Sequence, residues 1–197
     1  CGGGLVSLIA AYRTLGDARL TLALSAEEEV SGESGFRYVR DFLPPIDVAI
    51  VGEPTGMHPA IAEKGLMVVD MTDHGKSGHA ARNEGINAIY EALDDINWIR
   101  NYRFETVSPL LGETKMTLSV IHAGTVHNII PDRCEIVLDV RTNEHYTNQE
   151  VYDILRRHCK SEIRPRSFRL SSSHISESHP LIQRLKAMGR TPYGSPT

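Results

Sequence analysis

Three consecutive carboxylates, Glu27, Glu28 and Glu29, directly follow the apolar run RLTLALSA at residues 19–26. Open α/β sheets place their ligands in loops at the carboxyl ends of strands. Adjacent carboxylates repel one another unless cations or solvent compensate them, so a metal site and a solvated acidic turn are the two readings. A fourth carboxylate, Glu53, lies in VGEPT, just past a second apolar run at residues 46–51. Carboxylates at the same end of two neighbouring strands, used alongside imidazoles, suit zinc, manganese or cobalt.

Further along, GKSGHAAR presents His79 in a glycine-rich turn, and NIIPD carries Asn128 just ahead of a strand that bears Asp139 and Arg141. For His122 and His127, on either side of Gly124, a surface position is the expectation. Asp139 reads as one half of a surface ion pair.

The elements that must position these groups follow from periodicity. A helix is expected up to Gly16, a strand at 19–26, a short helix at 34–43 capped by Ser34, and a strand at 46–51. Helix, strand, helix, strand is the rhythm of a helix-covered sheet, and so of the α/β class. From Gly65 the pattern changes to strand 66–72, helix 87–102, strands 115–121 and 133–141, helix 148–160 and strand 167–170. That order is β-α-β-β-α-β, the ferredoxin-like arrangement. A last amphipathic helix is expected at 179–188. The expected domains are 1–64, an inserted α+β domain at 65–170, and a return to the first domain at 171–197.

The 197 residues, 41% hydrophobic and 23% charged, have the balance of a globular protein. A formal net charge of −4 gives no reason to expect a nucleic-acid partner. No apolar run is long enough to span a bilayer, so no membrane partner is expected. The basic clusters at 156–160 and 164–169 are expected to be solvated. Three cysteines without paired spacing favour a reducing cytoplasm over a disulfide framework.

Taken together, AEEEVSG, VGEPT, GKSGHAAR, GINAI, NIIPD and DVR, in that order, resemble the dinuclear zinc aminoacylases and deacylases. That family includes acetylornithine deacetylase and succinyl-diaminopimelate desuccinylase. The resemblance implies a partial zinc-peptidase-like catalytic domain with an inserted lid and dimerisation domain at 65–170, and hence a homodimer. It implies two divalent metal ions, zinc foremost and cobalt or manganese as alternatives. Glu28 resembles the general base, Glu29 a ligand of one metal and Glu53 a ligand of the other. His79 resembles the histidine that reaches into the partner's active site to stabilise the oxyanion. Asn128 and Arg141 resemble residues that hold the substrate's carboxylate.

The implied activity is removal of an acetyl or succinyl group from an amino acid such as ornithine or citrulline, in arginine biosynthesis. A desuccinylase, a carboxypeptidase, a general aminoacylase and a non-catalytic dimerisation module remain as alternatives. The family usually shows Asp-Glu-Glu where this chain has three glutamates, and many relatives have His-Ser-Ser where it has His79-Ala80-Ala81. The resemblance also implies a His-x-Asp motif and a metal-bridging aspartate ahead of Cys1, and a His ligand beyond Thr197. The chain is therefore expected to be an incomplete piece, inactive alone.

Overall fold

The computed structural model describes residues 2–27, 32–82 and 84–195. Its contacts divide the chain into two units, one ending at Met57 and one beginning at His58. That division falls seven residues ahead of the expected crossing at Gly65.

The first unit holds helix α1 (Gly2–Leu15) and helix α2 (Phe36–Arg40). The expected strands at 19–26 and 46–51 carry no ladder pairing among its described residues. A strand exists by exchanging backbone hydrogen bonds with a neighbour, and apolar content alone does not supply one. Leu20, Leu24, Ile46, Val48, Ile50 and Val51 all stay exposed. The α2 cap also differs from expectation. Gly35, not Ser34, is the N-cap, and no side chain caps it; the Ser34 amide donates to Glu27 Oε2 at 3.1 Å.

The second unit is ordered as β1 (Ala60–Glu63), β2 (Gly65–His74), β3 (Gly78–His79), α3 (Ala88–Asn101), β4 (Lys115–Ala123), β5 (Ile129–Ile130) and β6 (Arg133–Thr142). It continues with α4 (Asn148–His158), β7 (Glu162–Pro165), β8 (Ser173–His174), α5 (Pro180–Ala187) and β9 (Tyr193–Ser195). The principal sheet has the order β4-β6-β2-β7, with every neighbouring pair antiparallel. With α3 and α4 in the two crossovers, this is the ferredoxin-like topology expected from the β-α-β-β-α-β order.

Alternation with a period of two explains the layer. Met67, Val69 and Met71 of β2 and Cys134, Ile136, Leu138 and Val140 of β6 are buried, packed with Ala88, Ala92 and Ile99 of α3 and Val151 and Leu155 of α4. Both helices begin with side-chain caps. Asn87 accepts from the Ile89 amide, and Thr147 with Glu150 forms a reciprocal capping box.

The last strand differs from expectation in place. β7 is residues 162–165, and Phe168 and Leu170 remain exposed. Ile163 packs on the core, while Leu170 meets β2 through an isolated bridge to Leu66 and not a ladder. The chain then pairs with β1, in a three-stranded sheet of order β8-β1-β9. The basic clusters meet carboxylates as expected of a solvated surface: Arg164 on Glu162, Arg166 on Asp70 and Lys160 on Asp94. No described helix is long and apolar enough to cross a membrane.

Thr147→Ala removes the acceptor that caps α4 and is expected to lower the unfolding free energy by about 1 kcal/mol. Thr147→Ser should restore most of it. Urea denaturation of the three proteins checks this, and equal midpoints for all three would contradict the capping role.

Candidate functional site

Sharp backbone turns hold the candidate side chains. Two short strands, β3 and β5, pair through Gly78↔Ile130 and His79↔Ile129, and the Ala80 amide donates to the Asn128 carbonyl at 3.0 Å. Two stretches fifty residues apart, GKSGHAAR and NIIPD, are thereby stitched into one two-stranded sheet. Lys76 and Ile86 exchange both backbone hydrogen bonds, at 2.8 Å each, and close the loop that carries His79. Glycine is required twice here. A Cβ on Gly78 would come within 2.7 Å of the Glu84 carbonyl oxygen, and Gly85 has a φ of +90°.

The His79 side chain is exposed but not loose. Its main-chain amide donates to Glu84 Oε1 at 3.2 Å. Ala81's amide donates to its Nδ1, also at 3.2 Å. An imidazole nitrogen that accepts a hydrogen bond is unprotonated, so the neutral ring carries its hydrogen on Nε2 and offers it outward as a donor. Glu84 also pairs with Arg82, at 3.7 Å. Beside the β3–β5 pair opens a cleft of about 430 Å³, lined in part by Ser77, His122, Ile130, Asp132 and Glu135. His122 is exposed, in keeping with its expected surface position.

Arg141 lies elsewhere in the same unit. The eight residue steps from Arg133 to Arg141, at about 3.3 Å each, set it roughly 26 Å along β6 from the end at which NIIPD enters. Its guanidinium grips Asp139 in bidentate fashion, at 2.8 and 3.1 Å. That pairing is the main reason its pKa is raised above the usual arginine value. Lys64, half-buried, lies within electrostatic reach. Burial first, and then Lys115, push the Lys64 ammonium below its ordinary value, with Arg141 adding to the effect. The structure thus brings His79 and Asn128 together and puts Arg141, in a group of cations, at the other end of β6.

The acidic candidates belong to the first unit. Glu28 and Glu29 lie outside the described residues. Glu27 adopts a φ of +56°, and its carbonyl accepts from the Gly32 amide at 3.1 Å. Glu53 is exposed in a turn in which its carbonyl accepts from the Thr55 amide at 2.9 Å. Among the described residues, no three His, Cys, Asp or Glu side chains converge on a point that would hold a metal ion. The described donors therefore do not complete a metal centre.

The peptidase dimerisation domain of the M20 family matches residues 61–167, more than half of the chain. The chain belongs to the M20 peptidase family. An acetylornithine deacetylase from Pectobacterium carotovorum is 31% identical over 193 residues, covering 91% of this chain and 49% of the relative. Succinyl-diaminopimelate desuccinylase 1 from Alteromonas mediterranea is 27% identical over 144 residues, covering 68% and 37%. Against its curated relatives the chain spans from 34% to about half of their length. Among solved structures, a Staphylococcus aureus tripeptidase superposes with a TM-score of 0.54 at 17% identity, over 71% of this chain and 40% of that one. A Bacillus subtilis protein described as a dinuclear metal binding peptidase of the M20 family superposes with a TM-score of 0.51 at 18% identity, over 70% and 36%. These two likenesses support the fold.

In the 197-residue chain, nitrogen-15 spectra of the neutral His79 ring are expected to show the hydrogen on Nε2. Ala81→Pro, which lacks the amide donor, should let the two tautomers mix. A wild-type ring with its hydrogen mainly on Nδ1 would refute the assignment.

Proposed function

We propose that this chain is the central part of a metal-dependent amide hydrolase that removes an acetyl or succinyl group from an amino acid such as ornithine or citrulline, as arginine biosynthesis requires. The observation that carries the reading is His79 beside Asn128 on the β3–β5 pair, with the Ala81 amide leaving Nε2–H free to donate. A donor held in advance at the place where negative charge develops is the requirement for stabilising a tetrahedral oxyanion.

In this reading Glu28 takes the proton from the attacking water and then passes it to the departing amine nitrogen as the amide C–N bond breaks. Asn128 and Arg141 are proposed to hold the carboxylate of the substrate and, because roughly 26 Å of β6 separates them within one chain, to come to it from different subunits. Arg141 suits that task because a guanidinium meets a carboxylate with two parallel hydrogen bonds, as it already does with Asp139. Two divalent metal ions, zinc or alternatively cobalt or manganese, are proposed to take Glu29 and Glu53 among their ligands. Metals in such a site supply Lewis-acid polarisation of the amide carbonyl and a more acidic water.

His79 is proposed to act in the active site of a second copy, in a homodimer formed through residues 65–170. Edge strand β4 supports this, since among the described residues no strand pairs with its outer edge and Val120 and Ile121 are exposed on it. Tyr90 and Leu93 of α3, a helix packed on β4, add exposed apolar area. A cytoplasmic enzyme is the proposed setting. The resemblance to a succinyl-diaminopimelate desuccinylase favours a second substrate reading, with that diamino acid in place of ornithine.

The test uses the whole protein that carries this segment. Acetylornithine, acetylcitrulline, their succinyl analogues and succinyl-diaminopimelate, assayed side by side, should show preferential turnover of one acyl amino acid; turnover of none sinks the reading. Glu28→Gln is expected to abolish turnover without lowering metal content, and His79→Ala to cost about 100 to 1,000-fold in kcat. Mixing the two variants should restore activity that neither shows alone. Failure to complement would argue against action across the dimer.

A further inference from the structure

Away from His79, two aspartates are sunk in the second unit. Asp73 on β2 is 5% exposed and Asp95 on α3 is 2% exposed. Each occupies an inward register of its element. Asp73 continues the series Met67, Val69 and Met71, while Asp95 continues Ala88 and Ala92 toward Ile99. Between them stands the hydroxyl of Ser161, in the link from α4 to β7. Ser161 Oγ lies 2.6 Å from Asp95 Oδ2, and 3.0 and 2.9 Å from the two carboxyl oxygens of Asp73.

The hydrogens can be assigned by counting. Asp95 Oδ2 accepts from the Lys160 amide and the Ser161 amide, both at 2.8 Å, as well as from Ser161 Oγ. Three donors on one oxygen are the environment of a charged carboxylate. The serine hydroxyl has a single hydrogen, and the shortest contact assigns it to Asp95. Toward Asp73, Ser161 then has only lone pairs to offer. A second carboxylate facing those lone pairs at about 3 Å would be an unpaired buried charge beside another negative charge, which costs more than keeping a proton.

We propose that Asp73 is held as a neutral carboxylic acid in the folded protein near neutral pH, that it donates its hydrogen to Ser161 Oγ, and that this proton locks β2, α3 and the α4–β7 link together. The surroundings agree. Burial, the largest cause, pushes the Asp73 carboxyl above its ordinary value, and Asp95 and Glu91 of α3 add to it. His74 of β2 opposes the shift, as would a hydroxyl donated from Ser161. On the other sides stand two thiols, Cys134 of β6 and Cys159 beyond α4. Both are themselves pushed upward, Cys159 to about 12, with burial the largest cause, so neither offers Asp73 a compensating charge. The Lys160 ammonium is engaged by Asp94, and Glu162 by Arg164 and His74.

A carboxyl whose folded pKa is raised binds a proton that the unfolded chain has already released. The lock is therefore intact at low pH and is lost as pH rises through the folded pKa of Asp73. In the window above the unfolded value of about 3.9, one retained proton makes the unfolding constant grow by up to about tenfold per pH unit. Asp73→Asn keeps a donor for Ser161 and has no proton to lose.

The experiment has two arms on the 197-residue chain. In the wild type, the carbon-13 signal of the Asp73 carboxyl is followed against pH and is expected to titrate well above the ordinary aspartate range. A midpoint inside that range overturns the proposal, and this arm does not depend on any variant folding. In the second arm, urea unfolding is compared across pH for wild type, Asp73→Asn and Asp95→Asn. Asp73→Asn should fold and lose stability less steeply with rising pH than the wild type. Asp95→Asn, deprived of its charge against three donors, should be destabilised throughout. Parallel profiles for wild type and Asp73→Asn, or tolerance of the Asp95 change but not the Asp73 change, would also overturn it.

Discussion

The ten-pair antiparallel ladder between β2 and β6, from Gly65↔Thr142 to His74↔Arg133, is the constraint on which the second unit depends. Once that register is set, every side chain on both strands is assigned to a face, because a slip of one residue would turn the whole set over. The same register carries Met67, Val69 and Met71 inward with Ile136, Leu138 and Val140. It holds Arg141 and Asp139 together on the opposite face, where their ion pair is only half-buried. It also delivers Asp73 to the interior, at a position where an apolar side chain would have been the simpler choice.

Much of this was legible in the residues. The β-α-β-β-α-β order, the helix bounds and the inward alternation of β6 all follow from hydrophobic period and capping residues, since the elements concerned supply each other's partners within the chain. The failures share one cause. Residues 19–26 and 46–51 are as apolar as β2, yet no described strand pairs with them. Pairing is a property of two segments, so it cannot be read from one. The misplaced last strand has the same origin. SFRL and EIRP both alternate, and only the second meets β2 in register, at Asp70↔Arg164 and Met71↔Ile163.

The candidate site was legible in its residue types and not in its assembly. GKSGHAAR and NIIPD stand out separately as turns; nothing local announces that β3 and β5 pair and bring the Asn128 carbonyl to Ala80. Two signals did lie open in the sequence and went unused. Asp73 interrupts a period-two apolar series, and Asp95 interrupts the buried stripe of an amphipathic helix. A charged residue at an inward register needs a partner, so the pattern itself asked for the group that Ser161 provides.

The departure from His-Ser-Ser at residues 79–81 bears on how His79 is held. Alanines at 80 and 81 remove two hydroxyls that could have oriented the imidazole. Here the orientation comes from the main chain: the Ala81 amide donates to Nδ1, and Glu84 accepts from the His79 amide. An amide donor survives any substitution except proline, so the tautomer of His79 is insensitive to the side chain at 81. It depends instead on the turn geometry that Gly78 and Gly85 allow. The chemistry of the loop is thus carried by backbone shape, and a serine lost from the motif costs His79 nothing in the direction of its Nε2–H.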